Sequence, residues 1–486
     1  MSSSKLKDKT VSGMSWSAVD SISSQGITFI VGLVLANLLS PAEYGLIGII
    51  TIFISISNTI VDSGFSNSLI RKQTVTDEDY STTFTFNLVL SVIMYIILYL
   101  SSPSISLFFH HAQLVPTTRV LGIVIIINSI AIVQRTKLIK NIDFKRQAKI
   151  SFISSIISGI IGILLAFLGF GVWALVAQQI SRQSTNTIGL WVSAHWTPSL
   201  SFSKKSFNYQ FSFGWKLLLS QIISTIWTEA NSLIIGRCYS SATLGQYSRA
   251  NQFSSLFSNN LTSIIQRVSF PVLSSMKNDE KRLKANYKKM IKVTMFISFI
   301  GMLTLAACSR PLIFVLIGEK WEDATKYLPI LCFQFLLYPV RAINMNMLQV
   351  VGRTDQLLML EIIKRTLALI PLSLGIFVSI YWMMWGSVVN GIIGYILNSY
   401  FSGRHINYST LEQFMDILPS LIFGSVVALM MYSINFIGLS YLTTLFLQIT
   451  VGIILIIVLG QVIKIEEYME LKQIVVSTVS KHCHRK

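Results

Sequence analysis

Charge is what this chain most lacks. Only 12% of its 486 residues are Asp, Glu, Lys or Arg, about half the usual share of a soluble domain, and its mean hydropathy is +0.61. An ordinary soluble protein is therefore excluded, and a polytopic membrane protein is implied. Acidic residues are the scarcer kind, 21 against 39 Lys and Arg, for a formal net charge of +18. The surplus does not point to nucleic acid. No RNA- or DNA-binding motif occurs, and the basic residues gather in links between apolar segments. Cysteine is rare as well: Cys238, Cys308, Cys332 and Cys483 have neither metal nor redox spacing. A Cys308–Cys332 bridge would fit the topology below, as would free thiols, and the tail His482-Cys483-His484 reads as a solvated terminus. No catalytic group, metal site or cofactor is expected. The first lysines precede an apolar stretch too long for a signal-peptide core and without a small-residue cleavage site, so it reads as an uncleaved first span.

What the chain does have is apolar length. About fourteen segments are long enough to cross a bilayer, at 14–39, 44–70, 80–102, 117–136, 148–169, 171–193, 209–236, 245–271, 290–308, 328–351, 358–380, 382–402, 416–436 and 440–463. The links at 40–43 and 169–171 are so short that their flanking segments must form antiparallel hairpins. With the N-terminus inside, the outer links hold only Arg237, Arg310, Lys320 and Lys326. The inner links carry clusters such as Lys137, Lys140, Lys145 and Arg146, and the basic run at 277–292. That asymmetry supports both termini on the cytoplasmic side. The run at 277–292 is expected to be solvated and to meet anionic lipid heads, with binding of a cytoplasmic partner as the lesser alternative. The link at 309–327 is expected to include an interfacial helix.

An internal repeat recurs at an offset of about 200 to 215 residues. Trp16 and Trp215 open corresponding segments, SPAEYG at 40–45 matches SATLG at 241–245 after one gap, and the loop beginning at Leu138 recurs at Leu348. The expected fold is all-α and polytopic, with two parallel six-helix lobes. An N-lobe would occupy 1–203 and a C-lobe 204–403; 404–486 would supply two further helices and a cytoplasmic tail.

One segment, 245–271, is too polar to face lipid. On a helix at about 100° per residue, Phe253, Phe257, Leu261, Ile264, Ile265 and Val268 form an apolar stripe. Arg249, Gln252, Asn259, Asn260, Gln266 and Arg267 fall on the remaining arc. Arg249 and Arg267 are separated by about five whole turns, so they share one face and stand roughly 27 Å apart along the axis. Cations inside a membrane are costly and usually face a bundle interior or a watery cavity. Snorkelling to the interfaces would accommodate each arginine alone, but explains the amides between them poorly. Arg182 and Arg341 also lie within segments, near mid-depth. They are either substrate contacts or structural partners. Asp20, Asp62 and Lys216 lie toward inner ends, where a pairing of carboxylates with Lys216 and Arg267 would close an inner gate. Either carboxylate would equally suit a coupling proton or sodium ion.

ANLLSPAEYG at 36–45, Phe144-Lys145, GFGVWALV at 169–176, WTP at 196–198, IIGR at 234–237, LGQYSRA at 244–250, VSFPVLS at 268–274, GEKW at 318–321 and Gly352-Arg353 follow one another in a specific order. In that order the chain resembles the Wzx-type polysaccharide flippases of the MATE-like multidrug, oligosaccharidyl-lipid and polysaccharide superfamily, in the branch named for teichuronic and colanic acid export. Asn37 stands where that family often has arginine, so no role for that charge carries over. The resemblance implies alternating-access export of undecaprenyl-pyrophosphate-linked oligosaccharide from the cytoplasmic to the outer leaflet, in a bacterial cytoplasmic membrane. It implies a monomer in contact with membrane lipids, working beside a polysaccharide polymerase and glycosyltransferases. Arginine suits the pyrophosphate because its guanidinium offers paired donors and stays charged; amides suit sugar hydroxyls. Two other classes remain. A polysaccharide polymerase or lipid-linked glycosyltransferase would need a sizeable outer loop bearing catalytic groups, and a small-molecule antiporter would favour carboxylates over arginines in its cavity.

Overall fold

The computed structural model describes residues 24–194, 196–199 and 201–473, and among these no strand occurs. They fall into two compact units, 1–245 and 246–486. Asp20, Trp16 and the 482–484 tail lie outside the described residues.

The first unit begins with α1 (Ser24–Leu38). A serine cap starts α2 (Pro41–Asp62): Ser40 accepts from the Glu43 amide, and Glu43 reaches back to the Ser40 amide, so two orphan donors are met. Ser63 and Gly64, both left-handed, break the chain before α3 (Phe65–Arg71). The Thr76–Asp79 box opens α4 (Asp77–Phe109), followed by α5 (Leu114–Leu121), α6 (Ile123–Lys140), α7 (Phe144–Phe167), α8 (Val172–Ala194) and α9 (Lys204–Cys238). The expected hairpin at 169–171 is present. Gly169 and Gly171 take φ of 80° and 56°, which only glycine adopts freely, and α7 packs along α8. α6 packs between α4 and α8, and α2 lies along α9.

α10 (Ser241–Ser275) starts in the first unit and runs into the second. The second unit continues with α11 (Glu280–Ala307), α12 (Ser309–Ile317), α13 (Glu322–Phe335), α14 (Tyr338–Val351), α15 (Thr354–Leu367), α16 (Leu369–Phe377), α17 (Ile380–Arg404), α18 (Thr410–Ser433) and α19 (Tyr441–Ile463). The fully buried Tyr287 hydroxyl bonds Asn344 Oδ1 at 2.7 Å and Ser402 Oγ at 2.9 Å, while Asn344 donates to Gln413 at 3.2 Å. These bonds tie α11, α14, α17 and α18 together and satisfy the Tyr287 hydroxyl, while Gln413 Nε2 is buried without a hydrogen-bond partner among the described residues.

The repeat is visible in backbone detail. At the end of α6, Asp143 N bonds Leu138 O at 2.9 Å and Ile142 N bonds Ile139 O at 3.0 Å; at the end of α14, Arg353 N bonds Leu348 O at 2.9 Å and Gly352 N bonds Gln349 O at 3.0 Å. Both ends are therefore the same helix-ending motif, with Ile142 and Gly352 in the left-handed region.

Nine helical stretches among the described residues are long and apolar enough to cross a membrane. The expected count of fourteen is not fixed by that criterion. α8, α9 and α10 occupy expected spans but are too polar for it, and 358–380 is divided into α15 and α16. Of the two states open to Cys308 and Cys332, the structure has the free thiols, both buried. One further expectation is corrected. The basic run is not simply solvated: Lys288 pairs with Asp416 at 2.9 Å, Lys289 with Glu470 at 2.8 Å and Lys292 with Glu466 at 2.6 Å. Opposite charges on α18 and on the helical turns at 466–473 were near enough in the fold to claim those lysines.

Candidate functional site

The polar segment is continuous helix through Pro271, so Arg249 and Arg267 do share one face of α10. The apolar stripe is only partly the buried face. Phe253 is buried, whereas Ile264 and Val268 are 59% and 50% exposed. The seam that packs is made of small and polar residues. Gln246 donates to Lys320 O at 2.8 Å and accepts from Ala324 N at 3.0 Å, Ser258 donates to Phe335 O at 3.1 Å, and Ser269 accepts from Asn346 at 2.6 Å. Ala250 and Ser254 complete this seam, which lets α10 approach α13 and α14 closely.

Opposite the seam lie the candidate residues. Asn259, Asn260, Gln266 and Arg267 are exposed; Arg249 and Gln252 are half-buried, with the Arg249 guanidinium donating to Gln252 Oε1. Asn260 also donates to Leu256 O at 2.8 Å, which holds its carboxamide against the helix. The face thus presents two cations with amides between them.

Arg341, on α14, stands 5.1 Å over the Tyr338 ring. Its guanidinium and the Lys364 side chain converge over Gly394 of α17, where an added methyl would lie 3.6 Å from Arg341 Cζ and 3.5 Å from Lys364 Cδ. Lys364 is buried and pairs with Glu361. Near the start of the expected span 358–380, it has no sequence signal that links it to Arg341; only the fold sets the two side by side.

In the first unit, Arg182 is exposed midway along α8 and makes no ion pair among the described residues. Its neighbour Gln183 donates to Asn128 at 2.8 Å, and Asn128 donates to Asn58 at 3.1 Å, a chain across α8, α6 and α2. Asp62 accepts from Ser66 and lies near the Arg135 guanidinium, and Lys216 is exposed beside Trp215. Arg135 stands at the end of the apolar segment 117–136, and Asn58 and Asn128 carry no sequence signal beyond being polar within apolar segments. Arg119 is structural, bonded to Ser102 at 3.0 Å and stacked 4.3 Å over Tyr99. No group of three or more His, Cys, Asp or Glu side chains among the described residues is placed to hold a metal ion.

These features define a class: a polytopic helical membrane protein with the fold of the MATE-like superfamily. The structure matches the lipid II flippase MurJ in its inward closed conformation with a TM-score of 0.70 at 16% identity, covering 92% of this chain and 100% of that one. It matches an inward-facing multidrug resistance MATE family transporter with a TM-score of 0.58 at 16% identity, covering 80% and 98%. Identities this low speak for the fold alone. The chain belongs to the polysaccharide biosynthesis protein family, whose profile it matches over residues 34–326. Among its relatives, the teichuronic acid biosynthesis protein TuaB of Bacillus subtilis is 25% identical over 72% of this chain and 73% of its own length. The lipopolysaccharide biosynthesis protein WzxC of Escherichia coli is 25% identical over 72% of each. The succinoglycan biosynthesis transport protein ExoT of Rhizobium meliloti is 26% identical over 66% of each.

Proposed function

We propose that this protein is a flippase that moves undecaprenyl-pyrophosphate-linked oligosaccharide from the cytoplasmic to the outer leaflet of a bacterial cytoplasmic membrane, by alternating access, with both termini inside. The observation that carries this reading is the arginine–amide face of α10, exposed at Asn259, Asn260, Gln266 and Arg267 and half-buried at Arg249 and Gln252, in a member of the polysaccharide biosynthesis protein family. A sugar-pyrophosphate headgroup crossing hydrocarbon needs cations that keep their charge and donors that can be exchanged along the route. Arg267 and Arg249 at opposite ends of one line, with Asn259, Asn260 and Gln266 between them, offer successive phosphate and hydroxyl contacts. Each contact is weak enough to be left. Arg182 and Arg341 would add phosphate contacts from their own helices, and Asp62 would serve a gate or carry a coupling ion. A polysaccharide polymerase and glycosyltransferases are the partners this role requires.

The test is transport of a fluorescent lipid-linked oligosaccharide in proteoliposomes. Each arginine's charge-assisted bonds to phosphate are worth about 1.5–3 kcal/mol, so Arg249→Ala and Arg267→Ala should each slow transport roughly 10- to 100-fold. Both variants should still reach the membrane in normal amount. Wild-type rates in both would overturn the assignment of this face.

A further inference from the structure

At one end of the first unit, the links before α2, before α5 and before α8 converge on a cavity of about 370 Å³. That is within the size range of small-ligand pockets, about 300–1,000 Å³. Its lining differs from the arginine face in kind. Glu43, Gln113 and His111 supply the polar groups, Phe170 and Trp173 the rings, and neither lysine nor arginine lines it.

Glu43 is held rigidly. Its Oε2 takes bonds from Ser40 N at 2.7 Å and Ser40 Oγ at 2.9 Å, which leaves Oε1 to the cavity side. That oxygen lies where a methyl on residue 171 would stand 2.4 Å away, so Gly171 is needed both for its backbone angle and to leave this space. His111 engages Ser241 Oγ through Nε2 at 3.0 Å, which leaves Nδ1. The Gln113 carboxamide has no protein partner among the described residues. Phe170 and Trp173 are 52% and 37% exposed.

A fixed carboxylate acceptor, a carboxamide that both donates and accepts, and an imidazole nitrogen form the mixed set that vicinal hydroxyls require, since each hydroxyl is donor and acceptor at once. Exposed ring faces beside them suit the C–H face of a pyranose. A phosphate or uronate would meet Glu43 with no cation in the cavity to offset it. We propose that this cavity is a subsite for neutral pyranose units, separate from the arginines that would hold the phosphates. The inference rests on the glycan-carrying reading and adds that the sugars it admits here are uncharged.

The experiment is saturation-transfer NMR on the full chain in lipid nanodiscs, with a panel of neutral hexose disaccharides and matched uronic-acid disaccharides as probes. Neutral probes should give signal and acidic ones at least tenfold less. Trp173→Ala and Gln113→Ala should each lose at least tenfold, while Trp173→Phe, which keeps a ring, should bind. The melting temperatures of all three variants serve as the check on folding. No signal from any neutral probe, or equal signal in wild type and in folded Trp173→Ala, would overturn the subsite. Flipping of lipid-linked oligosaccharide by the same preparation is read in parallel. Flipping without Trp173-dependent sugar binding removes the subsite and leaves the transport reading standing, whereas sugar binding without flipping does the reverse.

Discussion

A methyl group added at Gly45 would stand 1.7 Å from the carbonyl oxygen of Ser241, and one added at Gly245 would stand 1.9 Å from that of Pro41. The two contacts are reciprocal. The repeated motifs SPAEYG and SATLG cross backbone to backbone, each glycine lying over the first turn of the other's helix. In both cases the obstacle is main chain, which cannot rotate aside as a flexible side chain would. Gly45→Ala and Gly245→Ala should therefore each destabilise by about 1–3 kcal/mol or more, read as a lowered melting temperature of the detergent-solubilised protein. A wild-type melting temperature in either would mean that this crossing is looser than drawn. The sequence comparison paired these motifs by their letters, and the glycines were their shared last position. That they touch was not legible, because a match between two repeats says nothing about which parts of them meet.

The helix α10 shows what periodicity can and cannot reveal. Its polar arc was readable, since Arg249, Gln252, Asn259, Asn260, Gln266 and Arg267 recur at helical spacing, and all of them avoid the packed seam. Its apolar stripe misled for a physical reason. Within a bilayer an apolar side chain can face lipid at no cost, so apolarity does not mark burial, and small residues mark helix contact instead. Ala250, Ser254 and Ser258 were that mark. The helical turns at 466–473 pack Tyr468 and Leu471 against the apolar cluster around Phe296 and Phe423, and charge adds to that hold through Lys292–Glu466 and Lys289–Glu470. The Lys292 ammonium, bonded to the Glu466 carboxylate, holds that carboxyl below its ordinary value of 4.5. A lowered carboxyl pKa contributes its stabilisation above the ordinary value and loses it as pH falls through the lowered one. Protection factors of the amides in 466–473, each taken relative to intrinsic exchange at the same pH, should accordingly be highest at neutral pH, fall as the pH drops below about 4.5, and fall in high salt because Glu466 and Lys289 are exposed to water. Lys292→Gln should raise exchange at neutral pH and flatten both dependences. Protection unchanged by acid, salt and the substitution would mean that packing alone holds this helix.

At the scale of the whole molecule, the proposed orientation rests on which end of the first unit carries charge. Lys140 donates to Leu69 O at 3.0 Å and to Lys72 O, Lys72 pairs with Asp79 at 2.6 Å, and Arg146 donates to Ser193 O at 3.3 Å. These bonds gather the ends of α3, α4, α6, α7 and α8 into one basic surface. At the opposite ends of those helices, Arg237 bonds His110 at 2.7 Å and the Glu43 cavity opens, with little other positive charge. Short links rich in Lys and Arg are retained in the cytoplasm. In the orientation proposed above, the exposed Cys238, next to Arg237, would lie on the outer side, while Cys308 and Cys332 are buried. In a Cys483→Ser background, a membrane-impermeant maleimide should label Cys238 in intact cells. A cysteine placed at the exposed Lys145 should be labelled only after the membrane is opened. Labelling in the reverse pattern would invert the orientation and with it the direction of transport proposed here. The sugar cavity would then open to the side on which the glycan is built rather than the side to which it is released.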